Sequence, residues 1–103
     1  MTLYYDNMEI NTKIYRPTIA SVEAAARKLE GIASVTPLIK NLHYSKQFEA
    51  NISFKREDLQ QVRSYKIRGA YNKISSLDPS QIENGIVCAS AGKHTQGVAL
   101  SCK

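Results

Sequence analysis

The run Gly85-Ile86-Val87-Cys88-Ala89 is continuously apolar, and Ser90-Ala91-Gly92 follows it directly. Such a run predicts a strand buried on both faces of a parallel sheet. A helical pattern begins after Gly92, with Val98, Ala99 and Cys102 expected to face inward. A strand, a turn and a helix in that order, with two earlier helices, predict an α/β architecture with right-handed crossovers. The strands are expected to be short and mostly parallel.

The earlier elements are read from their punctuation. Thr18 is a natural N-cap, and Ile19, Val22, Ala26 and Leu29 recur on one helical face before Gly31 supplies a left-handed close. Residues 1–17 lack periodicity and predict a loosely ordered arm, so the folded unit is expected over residues 18–103. Residues 33–50 read as a connector whose corner is Thr36-Pro37-Leu38, because Pro37 forces an extended backbone at Thr36. Asn51-Ile52-Ser53-Phe54-Lys55 alternates and predicts a strand. Ser64 is the expected N-cap of a second helix, with Ile67, Ala70, Tyr71, Ile74 and Leu77 as its buried stripe and Asp78-Pro79 as its stop.

Composition narrows the function classes. The net charge of +5 would suit an anionic partner, but the tightest basic cluster (Lys55, Arg56, Arg63, Lys66 and Arg68) is interrupted by Glu57 and Asp58. It reads as a solvated surface, and nucleic-acid binding through Arg63, Tyr65, Lys66 and Arg68 is the weaker alternative. Cys88 lies in an apolar run, where a small buried thiol is the default, and Cys102 is distant from it. That spacing points to a reducing, cytoplasmic setting rather than a disulfide framework. Neither a signal peptide nor a membrane span is expected. Two distant cysteines and two distant histidines do not make metal-ligand spacing.

Two places carry candidate chemistry. Lys66 stands in the first turn of the second helix, where the dipole prefers anions, so an amine placed there is either a reactive group or a solvated lysine whose stem covers Tyr65 or Tyr71. The turn Ser90-Ala91-Gly92 lies at the carboxyl end of the predicted buried strand, before a helix N-terminus that attracts anions. Gly92 permits close approach of a ligand, and Ser90 and His94 bring side-chain hydrogen bonds, although His94 equally suits packing or capping. Gly92-Lys93-His94-Thr95 is not a nucleotide phosphate loop, because Val87 and His94 occupy the places where that loop needs Gly and Ser or Thr. An amine able to form an imine, facing a small anion-binding turn, fits an enzyme that holds pyridoxal phosphate against an amino acid.

The stretches Lys55-Arg56-Glu57-Asp58-Leu59-Gln60, Ser64-Tyr65-Lys66-Ile67-Arg68-Gly69-Ala70-Tyr71 and Ser90-Ala91-Gly92 resemble biosynthetic threonine dehydratases. These are pyridoxal phosphate enzymes of the tryptophan-synthase-β fold type. Thr36-Pro37-Leu38 and the helix from Thr18 fit their N-terminal portion, so the resemblance runs over nearly everything from Thr18 onward. It implies that Lys66 tethers the cofactor and moves the substrate α-proton, and that Tyr65 packs beside the cofactor. Ser90, Ala91, Gly92 and His94 would receive the substrate carboxylate. It also implies an amino-acid substrate, deamination of threonine to 2-oxobutanoate and ammonia for isoleucine synthesis, and a homo-oligomeric whole protein.

There are two departures from that pattern. The family has asparagine, bonded to the cofactor's phenolic oxygen, where this chain has Lys93, which is longer, charged and unable to accept a hydrogen bond. The family's glycine-rich phosphate cup and the serine facing its pyridine nitrogen lie further along than Lys103. The chain is therefore expected to be an inactive N-terminal fragment of the catalytic domain. A serine dehydratase or serine racemase shares the lysine motif and is the alternative within the enzyme class. A non-catalytic interaction fragment, held by unpaired apolar strand edges, is the alternative outside it.

Overall fold

Thr18 and Ser21 open the first helix by satisfying each other's backbone. The Ser21 N–H donates to Thr18 Oγ1 at 3.2 Å and the Thr18 N–H donates to Ser21 Oγ at 2.9 Å. This reciprocal box starts α1, Ile19–Lys28, and Arg27 and Lys28 suit the negative end of its dipole. Gly31, with φ +75°, takes the left-handed conformation that ends the turn. The structure is a computed structural model, and it describes residues 16–103. The arm expected over residues 1–17 lies, but for Arg16 and Pro17, outside the described residues.

The segment expected to be a plain connector holds two elements. β1, Leu38–Lys40, follows the Pro37 corner, and α2, Leu42–Gln47, starts at Asn41, whose Oδ1 accepts from the Tyr44 N–H at 2.9 Å. β2, Ser53–Lys55, falls inside the predicted strand and pairs with β1 in the register Leu38↔Lys55, Ile39↔Phe54 and Lys40↔Ser53. That pairing is antiparallel, which corrects the expectation of mostly parallel strands for the one ladder among the described residues. The reason lies in the return, since the Asn41 N–H donates to the Ile52 carbonyl at 2.8 Å and the chain re-enters the sheet where it left. Only α2 and a short return separate the strands, and Ser45 ties that return down by accepting from the Ile52 N–H at 3.0 Å and donating to its carbonyl at 3.2 Å. Tyr44 packs its ring 5.7 Å from that of Phe54 across this unit.

A single 3₁₀ turn, Glu57–Leu59, leads from β2 toward α3, Lys66–Ile74. The N-cap of α3 is Tyr65 rather than the expected Ser64, whose hydroxyl still accepts from the Lys66 N–H at 3.3 Å. α3 also ends before Asp78-Pro79. Pro79 instead opens α4, Pro79–Ile82, with Asp78 as its cap, the position where a missing N–H does no harm. α5, Lys93–Ser101, lies against α3.

Burial departs from the predicted pattern wherever a partner surface is lacking. Ile67 is 1% exposed and Ala70 and Val98 are buried between α3 and α5, as their spacing predicts. Ile19 and Val22 are exposed, as is Ala26, so the apolar face of α1 is uncovered apart from Leu29 at its end. Residues 85–90 form no regular element and join no ladder among the described residues, and Val87 is 97% exposed. Cys88, Ala99 and Cys102 are exposed rather than inward, and Ile74 and Leu77 are half-buried. A strand buried on both faces needs neighbours on both edges and both faces, and the described residues supply none beside Val87.

Candidate functional site

Lys66 occupies the first position of α3 and is half-buried, with Tyr65 beside it 63% exposed. Its backbone is braced from α5. A Cβ built on Gly97 would stand 3.4 Å from the Ile67 Cα and N and from the Lys66 carbonyl carbon. The α5 backbone at Gly97 therefore lies directly on the peptide that carries Lys66. Sequence reasoning missed this glycine; an isolated Gly inside a helical pattern was the available signal.

The N-terminal ends of the two helices meet a second time at Lys93. Its ammonium donates to the carbonyl of Arg63 at 3.4 Å, three residues before Lys66. Arg63 itself sits at φ +54°, a left-handed conformation uncommon for a branched-out side chain, and its N–H donates to the Gln60 carbonyl at 2.8 Å.

At the turn, Ser90, Ala91, Gly92 and Lys93 are all exposed. Ser90 Oγ accepts from the Gly92 N–H at 3.0 Å and the Thr95 N–H at 3.3 Å, so its hydroxyl caps α5 although Gly92 is the N-cap residue. Gly92 has φ +132°, a conformation that L side chains rarely adopt, and nothing within 4 Å of where a Cβ would stand. Backbone amides, one hydroxyl and open space at a helix N-terminus suit a carboxylate or other small anion. His94 is half-buried and points elsewhere. It lines an apolar cavity of about 270 Å³ with Gly69, Ala70, Lys73 and Val87, along the flank of α3. The structure thus brings Lys66, Lys93 and the 90–92 turn to one end of the α3–α5 pair and sets the His94 ring to its side.

A polar cluster lies on the other side of the start of α3. Arg68 Nε donates to Glu57 Oε2 and Arg68 Nη2 to Glu57 Oε1, both at 2.8 Å, a two-pronged ion pair. Glu57 Oε1 also accepts from Thr36 Oγ1 at 2.6 Å. The Gln60 side chain, 1% exposed, accepts from the Ser34 N–H and donates to the Ser34 carbonyl, each at 2.8 Å. Arg68 Nη2 donates to the same carbonyl at 3.2 Å, and the Lys55 ammonium donates to the Thr36 carbonyl. Arg68 is the main cause that holds Glu57 far below the ordinary carboxylate range, at about 2. Sequence reading placed Glu57 as an interruption of basic charge and within the Lys55–Gln60 stretch, with no role of its own.

Among the described residues, no helix is long and apolar enough to cross a membrane, and no group of three or more His, Cys, Asp or Glu is placed to hold a metal ion.

A protein-family model described as pyridoxal-phosphate dependent enzyme matches residues 29–103. The biosynthetic L-threonine dehydratase of Bacillus subtilis is 54% identical over 79 residues, which cover 77% of this chain and 19% of that protein. Threonine dehydratase 1 biosynthetic, chloroplastic, of Solanum lycopersicum is 50% identical over 76 residues, 74% of this chain and 12% of that one. Among solved structures, maize serine racemase superposes with a TM-score of 0.75 at 32% identity, over 84% of this chain and 27% of that one. The processed form of threonine deaminase isoform 2 from Solanum lycopersicum superposes with a TM-score of 0.63 at 36% identity, over 84% and 26%. The chain spans about a fifth of the length of the bacterial relatives it matches.

Proposed function

The chain belongs to the pyridoxal-phosphate dependent enzymes, and from that premise we propose that it forms the lysine-bearing part of an enzyme that deaminates L-threonine to 2-oxobutanoate and ammonia. In this reading residues 18–103 are the N-terminal part of its catalytic domain, the step serves isoleucine synthesis, and the whole protein is a homo-oligomer. A cytoplasmic setting suits Cys88 and Cys102, both exposed free thiols.

The observation that carries the proposal is the packing of α5 on α3 at Gly97, which sets the Lys66 peptide beside the helix start that follows Ser90-Ala91-Gly92. These residues fit the aldehyde end of the cofactor and the carboxylate of an amino acid: one amine, one hydroxyl, helix-terminal amides and a glycine that leaves open space. Bound pyridoxal phosphate supplies an electron sink for the charge left when the substrate α-proton departs. Lys66 would hold the aldehyde end of the cofactor and, through Nζ, would take the substrate α-proton. Ser90 accepts two amides and keeps its own proton to donate to the carboxylate, with Ala91 and Gly92 beside it. Tyr65 offers an exposed ring to pack on the cofactor. Lys93, whose ammonium now rests on the Arg63 carbonyl, would donate to the cofactor's phenolic oxygen.

The test is covalent trapping on the 103-residue chain. After incubation with pyridoxal phosphate and reduction with borohydride, peptide mapping is expected to place the label on Lys66. A label confined to Lys93 or to other lysines overturns the assignment. The 103 residues alone are expected to make no 2-oxobutanoate from threonine, and measurable product contradicts that expectation.

A second reading, a serine-directed enzyme, is favoured by the higher TM-score to maize serine racemase. Comparing L-serine with L-threonine as substrate for the whole polypeptide separates the two.

A further inference from the structure

We propose that Glu57, Arg68 and Gln60 are positioning residues that fix the rotation of α3 and so aim the Lys66 side chain, an inference that rests on the reading of Lys66 as the cofactor lysine. The argument is geometric. Residues two apart on an α-helix are separated by about 200° around its axis. Arg68 is fastened on one side by two 2.8 Å bonds to Glu57, so Lys66 is directed to the other. Ile67, between them, is 1% exposed and meets α5 at Gly97. Two anchors in different directions, Arg68 to Glu57 and Ile67 to Gly97, leave the first turn of α3 no freedom to roll.

The base of the anchor is itself held. Glu57 accepts from Thr36, and Gln60 grips both polar groups of the Ser34 peptide. The 3₁₀ turn after β2, the loop before β1 and the first turn of α3 are thereby joined in one hydrogen-bonded unit. Its buried side-chain polar atoms are satisfied, as are all the other buried ones among the described residues. Arg68 suits this work better than lysine, because a planar fork fixes direction where a single ammonium does not.

The experiment reads the aim of Lys66 against an internal standard. In each trapping reaction the amine condenses with the aldehyde of pyridoxal phosphate, water leaves, and borohydride delivers hydride to the C=N carbon. The ratio of label on Lys66 to label on Lys73, an exposed lysine of the same helix, is measured in the full 103-residue chain and in Glu57→Gln, Arg68→Gln and Arg68→Lys. Misdirection of a reacting group by an ångström can cost up to about a hundredfold, so a fall of about tenfold is expected in Arg68→Gln and Glu57→Gln, with partial rescue in Arg68→Lys. Hydrogen exchange at the amides of residues 64–68 is expected to quicken in the same order. An unchanged ratio in Arg68→Gln and Glu57→Gln overturns the inference. So does a loss of protection that spreads equally through β1, β2 and α5, because the cluster then holds the fold and not the lysine. If the unsubstituted chain carries no label on Lys66, the functional reading fails by itself. Exchange at residues 64–68 then still decides whether the cluster steers this turn.

Discussion

Glu57 shows how much one partly buried carboxylate can do in a small chain. Its carboxyl is lowered from 4.5 to about 2, first by the Arg68 hydrogen bond and further by Thr36 and Gln60, against the opposing effect of burial. Between those two values the unfolded chain binds more protons than the folded one, so stability rises with pH across that window. The contribution is complete above about pH 4.5 and disappears as pH falls through about 2. With the Arg68 side chain 36% exposed, solvent screening reduces it to on the order of 2 kcal/mol. Glu57→Gln is therefore expected to lower stability by that amount at pH 7 and to make little difference near pH 2. Urea titrations at several pH values check this, and a gap that stays constant with pH would show that the charge is not the cause. The neighbouring Arg56–Asp58 pair, at 2.7 Å but exposed on both sides, carries no comparable expectation. Lys66 and the 90–92 turn stood out as candidates through their resemblance to a family's motifs, since residue type alone left Lys66 equally a solvated lysine. The Glu57 cluster did not stand out, because its partners lie 21 to 34 positions away in Thr36 and Ser34 and no local pattern links them.

Elements with their own start signals were legible, and those without were missed. Thr18 with Ser21, Gly31 and the Asp78-Pro79 pair are local devices, so they act whatever surrounds them, though Pro79 began a helix where it was expected only to end one. β1 and α2 left no such trace. A three-residue strand exposed throughout shows no alternation, and a six-residue helix with no buried residue shows no stripe. The joint between α3 and α5 gives the prediction at this scale. Alanine at Gly97 meets the Ile67 backbone at ordinary contact distance and improves helix propensity by up to about 1 kcal/mol, so Gly97→Ala is expected to be close to neutral or mildly stabilising. Gly97→Val adds methyl groups with no room and is expected to cost about 1–3 kcal/mol while pushing α5 from the Lys66 peptide. Thermal unfolding of the two variants tests this. Equal behaviour would mean that the helices do not rely on close backbone approach.

For the whole molecule, the apolar surface decides behaviour. Among the described residues the buried hydrophobic side chains are Leu29, Val62, Ile67, Ala70 and Val98, while Ile19, Val35, Leu38, Leu42 and Val87 each remain more than half exposed. The strand predicted at residues 85–89 does not form among the described residues, because its pairing and burial depend on neighbours that they do not supply. Exposed apolar side chains on a segment with no ladder partner invite association. Val87→Lys is expected to leave unfolding unchanged within about 0.5 kcal/mol, since the side chain is 97% exposed, and to reduce self-association. Light scattering against concentration distinguishes the outcomes. A chain that is monomeric before the substitution removes the basis for this expectation.

Gln60 does for the Ser34 peptide what an adjacent strand would do, offering one acceptor and one donor in the same plane. A carboxylate of equal length has no proton to give at neutral pH, and the shorter amide falls a methylene short. Deamidation of that one side chain, a change of a single mass unit, would therefore set a second negative charge beside Glu57 and leave the Ser34 carbonyl without its amide donor. Slow chemical ageing at one hidden position would loosen the start of α3 without touching Lys66 or the 90–92 turn.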